Sequence, residues 1–131
     1  MKVTTQLAIF LRNKPGVLAS ICDGLSKAKI NIHGMSVVDA NDHAVLRLVL
    51  SNPRTAAHLF GEAGMLVIES EIIQLSLPNK PGTLAKVTMK LARAKVNIEY
   101  AYAGGGSGVN RSTVFLKVSD TKKAMRAIKG K

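Results

Sequence analysis

Asn13-Lys14-Pro15-Gly16-Val17-Leu18 returns sixty-six residues later as Asn79-Lys80-Pro81-Gly82-Thr83-Leu84. The match runs without a gap from Asn13 through Ile32 against Asn79 through Ile98, pairing Leu25 with Leu91, Ala28 with Ala94, Lys29 with Lys95 and Asn31 with Asn97. Self-similarity at a fixed period marks one supersecondary module written twice. The expected domains are residues 1–69 and 70–131.

Working outward from the repeat, the apolar run Gln6-Leu7-Ala8-Ile9-Phe10-Leu11 reads as a largely buried strand entering the Pro-Gly loop. From Pro15 to Lys29, apolar Leu18, Ile21, Leu25 and Ala28 recur at spacings of three and four, as Leu84, Val87, Leu91 and Ala94 do in the second copy. That period predicts two amphipathic helices, with proline in the first turn, where its missing N–H has no intrahelical partner to lose. Ile30-Asn31-Ile32 leading to Ser36-Val37-Val38, and Val96-Asn97-Ile98 leading to Tyr100-Ala101-Tyr102, read as second strands. Turn residues 39–42 and the glycine-rich stretch 104–108 then precede third strands over 44–50 and 112–118. Ser51-Asn52-Pro53 and Ser119-Asp120 supply helix-start chemistry for helices over 53–62 and 120–129.

The copies part at their ends. Met65-Leu66-Val67-Ile68 reads as a fourth strand, continuing through Glu69-Ser70-Glu71 into Ile72–Leu77, the first strand of the second copy. Repeat two shows no fourth strand of its own, so one of its sheet edges is expected to be open. Open edges tend to be paired or covered, and a homodimer is the economical expectation. The fold class is α+β: two ferredoxin-like βαββαβ repeats, antiparallel sheets with helices on one face, the second repeat lacking its last strand.

Composition narrows the function. With 47% hydrophobic and 21% charged residues the chain reads as a globular protein. It has no apolar run of the ~20 residues that a membrane span needs and no secretory leader, so a cytoplasmic location without membrane contact is expected. The single Cys22 offers neither a disulfide nor a cysteine metal site, and His33, His43 and His58 are too scattered for a zinc site. Neither a Gly-x-Ser-x-Gly elbow nor a catalytic pairing of the eight acidic residues is present, so we expect no enzyme, no metal and no cofactor. The glycine run 104–108 lacks the Gly-Lys-Ser/Thr ending of a phosphate loop and reads as a hairpin.

A βαββαβ unit with Asn-Lys-Pro-Gly between its first strand and first helix, and an Asn opening its second strand, resembles the ACT domain. The resemblance covers about Thr5 to Ile128, twice over. It implies a regulatory module that binds a free amino acid where two domains meet, signals by a change of conformation or assembly, and answers to a regulated enzyme partner. The contacts it implies lie in the first loop and the start of the second strand: Asn13, Lys14, Gly16, Val17, Leu18, Asn31 and Ile32 in one copy, Asn79, Lys80, Gly82, Thr83, Leu84, Asn97 and Ile98 in the other. Physical chemistry favours the same loop independently. The first turn of a helix offers unpaired N–H groups and a positive dipole end to a carboxylate, glycine admits close approach, and an Asn carbonyl can accept from an α-amino group. The plainer reading makes Asn13 and Asn79 turn residues and has Asn31 and Asn97 satisfy backbone at the helix-to-strand corner. Val17 against Thr83 makes the two loops unequal. Tyr100 and Tyr102 read as core packing or as a wall for the ligand.

Charge carries a competing reading. Of the net +11, residues 1–66 hold +3 and 67–131 hold +8. Lys86, Lys90 and Arg93 on one helix, and Lys122, Arg126 and Lys129 on another, form stripes at helical spacing. The alternative function is therefore an interaction module whose basic helices bind nucleic acid or an acidic protein partner.

Overall fold

The computed structural model describes residues 1–104 and 109–130. In chain order the elements are β1 (Lys2–Arg12), α1 (Val17–Lys27), β2 (Ile32–Ala40), β3 (His43–Leu50), α2 (Pro53–Glu62), β4 (Val67–Pro78), α3 (Thr83–Arg93), β5 (Ile98–Gly104), β6 (Arg111–Val118) and α4 (Thr121–Lys129). The chain divides into two compact units, one of Thr5–Ser70, the other of Met1–Thr4 with Glu71–Lys131. All six strands pair antiparallel, and the four helices fall two to a repeat, as the sequence implies.

In the Thr5–Ser70 unit the strand order is β2-β3-β1-β4. Alternation along β1 and β3 sends Leu7, Ile9, Leu11, Leu46, Leu48 and Leu50 to one face, where they pack with Ile21 and Leu25 of α1 and with Ala56 and Phe60 of α2. One apolar layer between sheet and helices is thus the core. The second unit repeats this with Ile73 and Leu75 of β4, Val87 and Leu91 of α3, Val114, Leu116 and Val118 of β6, and Ala124 of α4. The repeat also reproduces an irregularity. The β2/β3 register shifts between Ile32 and Gly34, and the β5/β6 register shifts between Ile98 and Tyr100.

The second unit's strand order is β1-β4-β6-β5, so the edge expected to be open is filled by Met1–Thr4, from the far end of the chain. No strand follows α4 among the described residues. β1 is therefore longer than the run 6–11, starting at Lys2, and the argument for a homodimer from an unfilled fourth-strand position does not hold. β4 continues through Glu69-Ser70-Glu71, as the sequence implies, as one strand of 12 residues whose two ends belong to different units.

The helices are shorter than their apolar period suggests. Gly16 and Gly82 are the N-cap residues, at φ 89° and 92°, so Pro15 and Pro81 lie in the turn before the helix rather than in its first turn. At the other end Ile30 N donates to Leu25 O and Lys29 N to Ser26 O, and Val96 N and Lys95 N repeat the pair with Leu91 O and Ala92 O. This is the Schellman cap, which places its C′ residue in the left-handed region. Lys29 and Lys95 occupy it at φ 59° each, whereas α2, closed by the same bonds, uses Gly64 at φ 81°. A left-handed residue with a Cβ costs roughly 1–2 kcal/mol. We therefore expect Lys29→Gly and Lys95→Gly each to raise stability by about 0.5–1 kcal/mol, set against the extra freedom glycine adds to the unfolded chain. Denaturant midpoints at unchanged m-value measure this, and a loss of stability in both variants would contradict it.

Candidate functional site

The loop between β1 and α1 is held from below. Asn13 N donates to Asp42 O at 2.9 Å, and its side-chain Nδ2 donates to Asp39 Oδ1 at 2.8 Å and Asn41 O at 3.0 Å. Both amide hydrogens are thus spent on the β2–β3 hairpin, leaving Oδ1 as the atom with acceptor capacity. In repeat two Asn79 N donates to Asn110 O at 2.8 Å and Asn79 Nδ2 to Val109 O at 2.9 Å. The hairpin reading of 104–108 falls, for residues 105–108, outside the described residues. At the first hairpin's tip the Asp42 carboxyl is held below its usual range, first by the hydrogen bond with the His43 ring.

Above this anchor the loop opens onto solvent. Lys14, Pro15 and Gly16 are exposed, and a side chain at Gly16 or Gly82 would meet no atom within 4 Å. Their left-handed backbone therefore sets the requirement for glycine here. The first i→i−4 bond of α1 is Ser20 N to Gly16 O, and Val17 N reaches only Lys14 O at 3.5 Å. No side chain caps either helix.

The structure separates the predicted site residues into two groups. Asn13, Lys14, Gly16, Val17 and Leu18 stand together at the N-terminal end of α1. Asn31 and Ile32 follow its C-terminal end, about 16 Å away for eleven residues at 1.5 Å each. The backbone of Asn31 exchanges bonds with Ser51, through Ser51 Oγ and Ser51 N, and Asn97 does so with Ser119. Ile32 and Ile98 pack against their units' cores. Asn79, Lys80, Gly82, Thr83 and Leu84 repeat the first group, with Asn97 and Ile98 again at the far end. Thr83 Oγ1 lies 2.9 Å from Pro78 O and 3.1 Å from Lys80 O, so its hydroxyl serves its own loop. Tyr102 stacks on Phe115, opposite it in the ladder, with ring centroids 5.1 Å apart.

Beside the first loop lies an open cavity of about 310 Å³, lined by Phe10, Leu11, Arg12, Lys14, Val17, Gly64, Met65 and Leu66. Two cations and no acid border an otherwise apolar wall. Sequence reasoning singled out Lys14 and Val17 but missed Arg12, which the strand delivers to the loop, and Met65 and Leu66, which arrive from the turn after α2. Only the tertiary fold brings these together. The repeat offset places Pro78 where Arg12 stands and Ser76 where Phe10 stands, and the guanidinium beside the second loop, that of Arg111, donates to Ser76 Oγ and Ser76 O at 2.8 Å each. A cavity of about 430 Å³ in the other unit is lined by Val3, Glu71, Thr121, Lys122, Met125 and Arg126, none of them a predicted site residue. Among the described residues no group of three His, Cys, Asp or Glu could hold a metal ion, and no helix is long and apolar enough to cross a membrane.

Comparison with known proteins places this architecture. The chain is similar to protein BT0572 from Bacteroides thetaiotaomicron, at 32% identity over 97% of this chain and 87% of that one, with TM-score 0.90. It shares its fold with the regulatory subunit of aspartate kinase from Thermus thermophilus, at 17% identity over 98% and 95% of the two chains and TM-score 0.70. The corresponding subunit from Thermus flavus gives TM-score 0.60 at the same identity and coverage. No curated protein matches the chain. The family described as the ACT domain pair matches residues 1–129, and this chain, with its βαββαβ repeats in tandem, belongs to it.

Proposed function

We propose that this protein is a regulatory module that binds a free amino acid at the β1–α1 loop of its first repeat and passes the bound state to a partner, doing no chemistry itself. The observation that carries this reading is the cavity bounded by Arg12, Lys14, Phe10, Val17, Met65 and Leu66. A guanidinium suits a carboxylate because it offers paired donors in a fixed plane. The N-terminal end of α1 adds positive potential beside it. An apolar wall then favours an amino acid with an apolar side chain over an acidic or basic one. The Thermus relatives are regulatory subunits of a kinase of aspartate, which agrees with a regulatory role.

The proposed mechanism is linkage. A ligand changes the protein's state only through its difference in affinity for two arrangements, so the bound amino acid must favour one of them. Phe10 and Leu66, 40% and 62% exposed at the rim of the cavity, give a ligand or a second protomer apolar surface to cover. Assembly into a homodimer and control of an enzyme partner belong to this proposal. Sedimentation of a monomer at micromolar concentration, with and without ligand, would remove the dimer from it.

Thermal unfolding against each of the twenty amino acids tests the binding. At a hundredfold excess over Kd a ligand adds about 2.7 kcal/mol, which is a rise of a few degrees for a chain of this size. We expect such a rise with one or a few related apolar amino acids. In Arg12→Ala it should shrink, because one hydrogen bond to a charged group contributes about 1.5–3 kcal/mol. Lys80→Ala, in the second loop, should retain it. No rise with any amino acid, or an undiminished rise in Arg12→Ala, would reject the proposal.

A further inference from the structure

The two units are near copies in fold and differ sharply in charge. The Thr5–Ser70 unit carries six Lys/Arg and five Asp/Glu, a net +1, while the other carries thirteen and three, a net +10. Within the helices the contrast is sharper. Together α1 and α2 have Lys27 and Arg54 against Asp23 and Glu62; α3 and α4 have seven Lys/Arg and no acid. Because the first unit builds the same helix-on-sheet layer without that charge, the fold does not require it. Concentrated like charge opposes the compact state by self-repulsion.

The cations form a face rather than a scatter. Val87 and Leu91 turn α3, and Ala124 turns α4, toward the core, and α3 packs against α4. Lys86 and Arg93 on α3, and Lys122, Lys123, Arg126 and Lys129 on α4, are exposed. Lys90 is excluded from this set, since its Nζ donates to Ile128 O at 3.3 Å and Gly130 O at 2.9 Å and closes the C-terminal end of α4. The unit's three acids offer little relief. Asp120 caps α4 through Lys123 N, Glu99 lies 3.6 Å from Lys117 Nζ, and Glu71 borders the cavity shared with Lys122 and Arg126.

We infer that the α3–α4 face binds the phosphate backbone of a nucleic-acid duplex without reading its sequence. Rows of cations on a domain of high isoelectric point are the electrostatic footprint of such binding. Four of the six exposed cations are lysines, point charges suited to phosphates rather than the bidentate forks that read base edges. No aromatic side chain lies on α3 or α4, which removes the stacking platform a single strand needs. A protein interface is disfavoured because such interfaces are depleted in lysine. A lipid surface is disfavoured because the face lacks the Trp and Phe of interfacial helices.

The test is fluorescence anisotropy of the full chain with a duplex of about 20 base pairs, between roughly 0.05 and 0.2 M salt. Wild type should bind at about 0.15 M, with log K falling steeply as salt rises. The combined variant Lys86→Ala, Arg93→Ala, Arg126→Ala, Lys129→Ala should flatten that slope by about 3–4, near 0.9 for each lost phosphate contact. Lys27→Ala with Arg54→Ala, on the helices of the other unit, should leave the slope unchanged. Circular dichroism confirms that each variant is folded. No binding at ~0.15 M salt, an equal loss in both variants, or equal affinity for poly-glutamate or anionic vesicles would overturn the inference.

Discussion

Each repeat turns on one glycine. At Gly16 and Gly82 the backbone enters a helix at φ near 90°, a conformation that residues with a Cβ adopt only at a cost. That corner lets the strand reverse so that α1 or α3 lies over the face it has just formed, with Ile21 and Leu25, or Val87 and Leu91, meeting the sheet. The Asn three positions earlier fixes the corner from the other side, by donating its amide to the neighbouring hairpin. Burial of the apolar layer stabilises the unit, but the corner decides which layer can form. It also leaves a helix end uncovered beside the cavity, so the element that organises the fold is the one that presents the candidate site.

Much of this was legible in the residues because the signals were local and given twice. The Asn-Lys-Pro-Gly pair, the period of Ile21, Leu25, Val87 and Leu91, and the caps at Asn52 and Asp120 all depend on neighbours in the chain. What could not be read depended on distant pairing. Nothing in Met1-Lys2-Val3-Thr4 announces that it completes the unit built from the other end of the sequence. Pro15 lies in the corner before α1 rather than in its first turn, two positions that the helix period cannot distinguish. The cavity was hidden for the same reason as the edge. Arg12, Met65 and Leu66 belong to different elements, and only the fold of the Thr5–Ser70 unit gathers them.

The two units share one frame and differ in what they carry on it. Both keep the core, the glycine corner, the Asn anchor and the strained lysine at the helix end. The first has Arg12 and Phe10 where the second has Pro78 and Ser76, and the second carries nearly all of the net charge. On the proposed reading, ligand recognition lies in the first repeat. The basic helices of the second are then free to meet a different partner, and the two roles are separable by substitution because they share no residue.

Equilibrium titration calorimetry tests the central claim most directly, using the amino acid that gives the largest thermal rise. The account predicts one site per chain, because the first repeat has Arg12 and Phe10 where the second has Pro78 and Ser76. It also predicts that this site weakens on removal of the Arg12 side chain. Two equivalent sites per chain, or one site indifferent to Arg12, would contradict it.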